Sequence, residues 1–192
     1  MAYGQKHYLT TLNDDQIGRI NLSEGDVLES SLEKVDVSCS LNFSYFCFKE
    51  RATLKKYLQR TYDSLNEGGI HMMDCFGGGK CTEANEEETE DDELRYSYFW
   101  DQDYFNPIDN HAMFYIHFQL DGEEKRERAF TYDWRMWGLP EIKDILMEVG
   151  FKDVAFYWEG SDEDGDGNGI FERTADPKEE CEAWVAYIAA KK

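Results

Sequence analysis

Leu65-Asn66-Glu67-Gly68-Gly69-Ile70-His71-Met72-Met73-Asp74-Cys75-Phe76-Gly77-Gly78 joins the end of one helix to a buried strand. Gly68-Gly69 stops the helix, since glycine tolerates the backbone that follows a last turn. Residues 70–75 are an apolar run of strand length that closes on Phe76-Gly77-Gly78-Gly79. Upstream, Leu54, Tyr57, Leu58, Tyr62 and Leu65 recur at helical spacing over residues 51–66. Before them, residues 35–41 are rich in β-branched and small residues and read as a second buried strand. Strand, helix and strand within about 40 residues form a βαβ unit with parallel strands and a right-handed crossover.

Outward from this unit the pattern continues. Leu139-Pro140-Glu141 opens a helix whose apolar face is Ile142, Ile145, Leu146 and Val149, and Gly150 ends it. Residues 154–158 and 183–189 read as strands, with a Gly/Asp loop over 161–169 between them. Residues 94–137 hold aromatic, strand-like runs around an Asp121-Gly122 turn and predict an antiparallel insertion. Residues 80–93 carry Glu86-Glu87-Glu88 and Glu90-Asp91-Asp92-Glu93, which predicts a mobile acidic loop. Residues 19–23 alternate, with Ile20 and Leu22 on one face, and read as a strand before a Gly25-Asp26 turn.

The fold class expected is α/β, as one domain over residues 1–192. The formal charge of −21 has no basic stripe to offset it, which argues against nucleic acid and anionic membranes as partners. Five scattered cysteines without a C-x-x-C pair argue against a disulfide framework or a zinc site and fit a reduced, cytoplasmic setting. No apolar run approaches the ~20 residues that span a bilayer, and no signal peptide is evident.

Several words in order narrow the class. They are Glu24-Gly25-Asp26-Val27, then Leu41-Asn42-Phe43-Ser44-Tyr45, then Leu65-Asn66-Glu67-Gly68-Gly69 leading to Asp74-Cys75-Phe76-Gly77-Gly78. Leu139-Pro140-Glu141-Ile142, Gly150-Phe151 and Val154-Ala155-Phe156-Tyr157-Trp158 follow. From about Arg19 to Ala190 the chain resembles the later part of a class I S-adenosylmethionine (SAM)-dependent methyltransferase. The resemblance implies a partial Rossmann-like methyltransferase sheet, strands 3 to 7, with an antiparallel insertion. It implies SAM as cofactor and methyl transfer to a small-molecule or protein acceptor.

Residue by residue, Asp26 matches the acid that approaches the adenine, with Asn42 and Phe43 beside the cofactor. Asn42, Ser44 and Tyr45 match the strand end that faces the methyl group, where they would orient the acceptor. Trp134, Arg135 and Trp137 lie just before the helix at Pro140 and are candidates to wall a substrate pocket, Arg135 meeting a carboxylate. His111 and His117 share one strand face but lack a third ligand, so no metal is expected there. Asp162-Glu163-Asp164-Gly165-Asp166-Gly167 starts like an EF-hand loop, but Arg173 stands where the bidentate acid belongs. Nothing before Arg19 matches the superfamily's glycine-rich cofactor loop, so the domain reads as truncated and its own activity is in question.

In the superfamily's strand order, 3-2-1-4-5-7-6, loss of strands 1 and 2 would leave about 14 Å of sheet missing beside residues 35–41. A protein partner completing the sheet is one expectation. The alternative function is a non-catalytic interaction protein that binds a partner through its acidic loop or open sheet edge.

Overall fold

The structure, a computed structural model, describes residues 2–29, 33–91, 93–162, 167–177 and 182–192. Residues 1–32 form one compact unit and residues 33–192 another.

In the first unit, helix α1 (Ala2–His7) and a 3-10 turn (Leu9–Thr11) precede a short helix α2 (Asp14–Gly18). Asn13 caps α2 reciprocally: its side chain accepts the Gln16 N–H at 2.9 Å, and the Gln16 side chain accepts the Asn13 N–H at 3.0 Å. The strand expected over residues 19–23 does not form. Two alternating apolar residues make a strand only where a neighbouring backbone completes the ladder. None of the described residues does so, and Ile20 and Leu22 stay exposed.

The second unit contains β1 (Val35–Ser40), α3 (Arg51–Ser64), β2 (Leu65–Gly77), β3 (Asn85–Asp91), β4 (Tyr96–Asn106), β5 (His111–Leu120), β6 (Arg126–Arg135), α4 (Leu139–Val149), β7 (Asp153–Ser161), β8 (Gly167–Thr174) and β9 (Trp184–Lys191). One sheet has the order β1-β2-β9-β7-β8, and the other is the antiparallel meander β3-β4-β5-β6. β1 and β2 are parallel, as the βαβ reading requires, while β9 runs antiparallel to both β2 and β7. The run β1-β2-β9-β7 reproduces the expected order 4-5-7-6. No described residue pairs with the outer edge of β1.

Three local readings are corrected. α3 ends at Ser64, and Gly68-Gly69 sits inside β2, where the register slips between Val35↔Leu65 and Val37↔Ile70. Gly68 has φ +77°, and a Cβ on Gly69 would lie 2.9 Å from the Asn66 carbonyl oxygen, so both glycines serve a β-bulge. Residues 85–91 of the acidic segment are not loop but strand β3, paired with β4 from Asn85↔Gln102 to Asp91↔Tyr96. Charge repulsion disfavours a strand only where nothing offsets it. Here the acids point to water on an edge strand, and Lys125 donates to Glu86 at 2.7 Å. Finally, β8 occupies part of what reads as a Gly/Asp loop and pairs with β7. Residues 163–166 of the EF-hand-like segment lie outside the described residues.

One apolar core joins the two sheets with α3 and α4. Leu54, Leu58, Ile142, Ile145 and Leu146 are fully buried, each contributing roughly 1.5–3 kcal/mol by removal from water. α4 begins as predicted: Glu141 accepts the Gly138 N–H at 3.1 Å, and Gly150 (φ +120°) ends the helix. The insertion sheet attaches through rings. Phe46 lies 5.8 Å from Trp134, and Phe76 lies 5.9 Å from Phe114. No helix among the described residues is long and apolar enough to cross a membrane.

Candidate functional site

Open α/β sheets bind ligands beyond the carboxyl ends of their parallel strands. Here those ends belong to β1 and β2. Past β1 the backbone turns through Asn42 (φ 59°) and Phe43 (φ 54°), both left-handed. A bulky residue such as Phe43 rarely adopts that conformation, and each such residue stores about 1–3 kcal/mol of strain. Asp74, buried in β2, holds the turn. Its Oδ2 accepts the Asn42 N–H at 2.7 Å and its Oδ1 accepts the Phe43 N–H at 2.9 Å. The Tyr45 hydroxyl donates to the Asp74 carbonyl at 2.7 Å. Burial pushes the Tyr45 phenol well above its ordinary value, so it remains a neutral donor.

Past β2 the chain packs on itself. A Cβ on Gly77 would overlap the Trp184 ring, and one on Gly78 (φ +111°) would overlap the Glu182 backbone. These glycines therefore admit the start of β9. Lys80 N–H then donates to the Glu182 carbonyl at 3.0 Å.

Between these strand ends and the insertion sheet lies a cleft of about 800 Å³. Phe43 and Phe76 come from the strand ends, Tyr98 and Trp100 from β4, Trp184 from β9 and Glu87 from β3. The Gln102 side chain donates to the carbonyls of Lys80 (3.0 Å) and Glu83 (3.1 Å), which ties the acidic segment to the wall.

Of the residues expected from sequence, Phe43 lines this cleft. Asn42 lies beside it in the strained turn, and Ser44 is exposed at the start of the 3-10 turn Ser44–Cys47. Tyr45 is buried, with its hydroxyl engaged by Asp74, so it braces the turn and does not face a substrate. Asp26 belongs to the first unit, where its Oδ1 accepts the Leu28 N–H at 2.8 Å in a turn. The cluster Trp134, Arg135, Trp137 is core and not pocket wall. Both tryptophans are buried, and the Trp137 Nε1 donates to the Phe48 carbonyl at 3.1 Å. Arg135 stacks 3.8 Å from the Trp137 ring and bonds to Glu141 and the Lys49 carbonyl. Large aromatics bury wherever an insertion closes on a sheet, which a one-dimensional reading does not separate from a pocket wall.

Asp74 was not singled out in the sequence. Its signal is a lone carboxylate inside an apolar strand, since an acid is rarely buried without partners.

His111 Nε2 lies 2.7 Å from Asp133. Glu86, Asp101 and His117 also converge. His117, however, fills a register slip in β5–β6, where its Nδ1 accepts the Arg128 N–H at 2.7 Å. The same Nδ1 lies 2.9 Å from a Glu127 carboxylate oxygen, and Nε2 lies 3.1 Å from Asp101, so both ring nitrogens already have partners within the protein. Lys125 already meets Glu86.

SAM needs contacts for its methyl, ribose and carboxypropyl parts. The β1 end opens on the cleft beside Phe43 and Phe76. Among the described residues no glycine-rich turn follows a strand beside β1, and the N–H groups of Asn42 and Phe43 are taken by Asp74. The ribose and carboxypropyl parts find no matching contacts among the described residues.

Neither a family model nor a curated protein matches the chain. Solved structures do. A SAM-dependent methyltransferase from Clostridium acetobutylicum superposes with a TM-score of 0.67 at 16% identity, covering 99% of this chain and 70% of that one. A sugar N-methyltransferase from a Streptoalloteichus species gives 0.57 at 12%, covering 93% and 65%. A SAM-bound amino pentose methyltransferase from Micromonospora echinaspora gives 0.57 at 11%, covering 88% and 63%. The chain thus spans about two thirds of the length of these neighbours. Over the part that it spans, it has the fold of a class I SAM-dependent methyltransferase.

Proposed function

We propose that this protein works in SAM-dependent methyl transfer and that residues 33–192 form the side of the site that holds a small-molecule acceptor. The observation that carries this reading is the cleft at the carboxyl ends of β1 and β2, roofed by the antiparallel sheet. SAM would supply an electrophilic methyl group. Phe43 and Phe76 would exclude water at the strand ends, and the Asp74 clamp would fix where Phe43 stands. Placement is most of what in-line transfer asks of a protein. The neighbours methylate a sugar nitrogen and an amino pentose, which is the scale of molecule that a cleft of about 800 Å³ accommodates.

S-adenosylhomocysteine, the product form of the donor, is the test ligand. With only the methyl-side contacts present, the chain should bind it weakly, with a Kd of about 1 mM. Asp74→Ala should remove that binding by releasing the turn. Micromolar binding would contradict the half-site assignment, and no binding at about 10 mM would contradict the methyl-transfer reading.

A second reading, a protein-binding chain without catalysis, is favoured by the open edge of β1. Val37 is 55% exposed on strand backbone that no described residue pairs on its outer side. Such an edge accepts an added strand. A sheet-completing partner together with an absent response to S-adenosylhomocysteine would support it.

A further inference from the structure

We propose that the cleft selects a cationic amine, an ammonium carried on a ring-sized apolar body. This deepens the acceptor reading above, in which the bound ammonium would give a proton to solvent and so free the nitrogen lone pair for the methyl group, and it would stand as a binding site if that reading failed.

The cleft places two kinds of group together. Five aromatic residues line it: Phe43, Phe76, Tyr98, Trp100 and Trp184. Aromatic faces carry negative potential and attract ammonium groups. Carboxylates rim the same space at Glu83, Glu87 and Glu159. Lys80 brings a cation to the rim, but it is paired with Glu182. Glu159 spends one oxygen on the Gly169 N–H at 2.8 Å, and Glu87 spends one on the Asn85 amide at 3.0 Å. The field of Glu87 reaches the wall: after burial, it is the next cause that pushes the Cys81 thiol up.

These charges sort acceptors. An anionic molecule meets like charge on the rim. A neutral polyol gains no charge attraction there. An ammonium gains from the carboxylates and the ring faces at once, and its apolar body covers the rings. The long-range field acts in the same direction, since the chain carries 41 acids against 20 bases.

The test compares choline with 3,3-dimethylbutan-1-ol, its neutral isostere, by the indole N–H shifts of Trp100 and Trp184. Choline should bind about tenfold tighter at low salt. Glu83 and Glu87 are exposed, so the double variant Glu83→Gln, Glu87→Gln should fold normally. It should reduce the preference to about twofold or less. Equal binding of the two ligands, binding of neither, or a preference that survives the double variant overturns the proposal. S-adenosylhomocysteine titrated into the same sample separates the two readings. A response to it without a choline preference sinks the amine inference alone. A choline preference without that response supports the amine site and sinks methyl transfer.

Discussion

Asp74 shows how much one side chain holds. It accepts two backbone N–H groups from residues in left-handed conformations, and its own carbonyl anchors Tyr45. Hydrogen bonds to a charged group are worth about 1.5–3 kcal/mol each, so Asp74→Ala should destabilise the protein by about 3 kcal/mol in urea unfolding. A loss below about 0.5 kcal/mol would mean that the turn holds itself. This role was hidden in the sequence because the partners lie 31 and 32 positions away. His71, in the same strand, is fully buried, and burial lowers its pKa from 6.5 to about 4. The unfolded chain therefore takes up a proton between those two values that the folded chain refuses. Stability is full above about pH 6.5 and falls as the pH drops, by about 3 kcal/mol at pH 4. His71→Phe should flatten this part of the profile, and an unchanged slope would place the titration elsewhere.

At the scale of elements, legibility follows how local the cause is. α3, α4 and β2 were readable because their periodicity reports the buried face directly. β3 was not, since seven residues from Asn85 to Asp91 contain no apolar side chain and become a strand only through pairing with β4. The expected strand over 19–23 failed for the opposite reason, a weak alternation with no partner among the described residues. Gly77 and Gly78 were legible as the close of the strand, but not as the place where another segment approaches. What approaches is β9, through Trp184 and the Glu182 backbone. Gly78→Ala meets both a positive φ and that backbone, so it should lower stability by about 2 kcal/mol or more, or roughly 4–8 °C in melting temperature. Thermal unfolding checks this, and a melting point within about 1 °C of the parent would show that the junction relaxes freely.

For the molecule as a whole, order β1-β2-β9-β7 was foreseeable from the resemblance, and the fold neighbours agree with it. The site was only partly foreseeable. Asn42 and Phe43 stand in left-handed backbone at the end of β1, with Phe43 lining the cleft, while the aromatic cluster at Trp134, Arg135 and Trp137 went into the core. The cleft's other wall comes from β3 and β4, whose contribution depends on how two sheets meet. The proposed acceptor side of a methyltransferase site lies where the ends of β1 and β2 face that wall. The most direct measurement is a backbone amide shift map recorded while S-adenosylhomocysteine is added. Changes should cluster at Asn42, Phe43, Asp74, Gly77 and Gly78. Changes confined to other surfaces, or none at all, would contradict this placement.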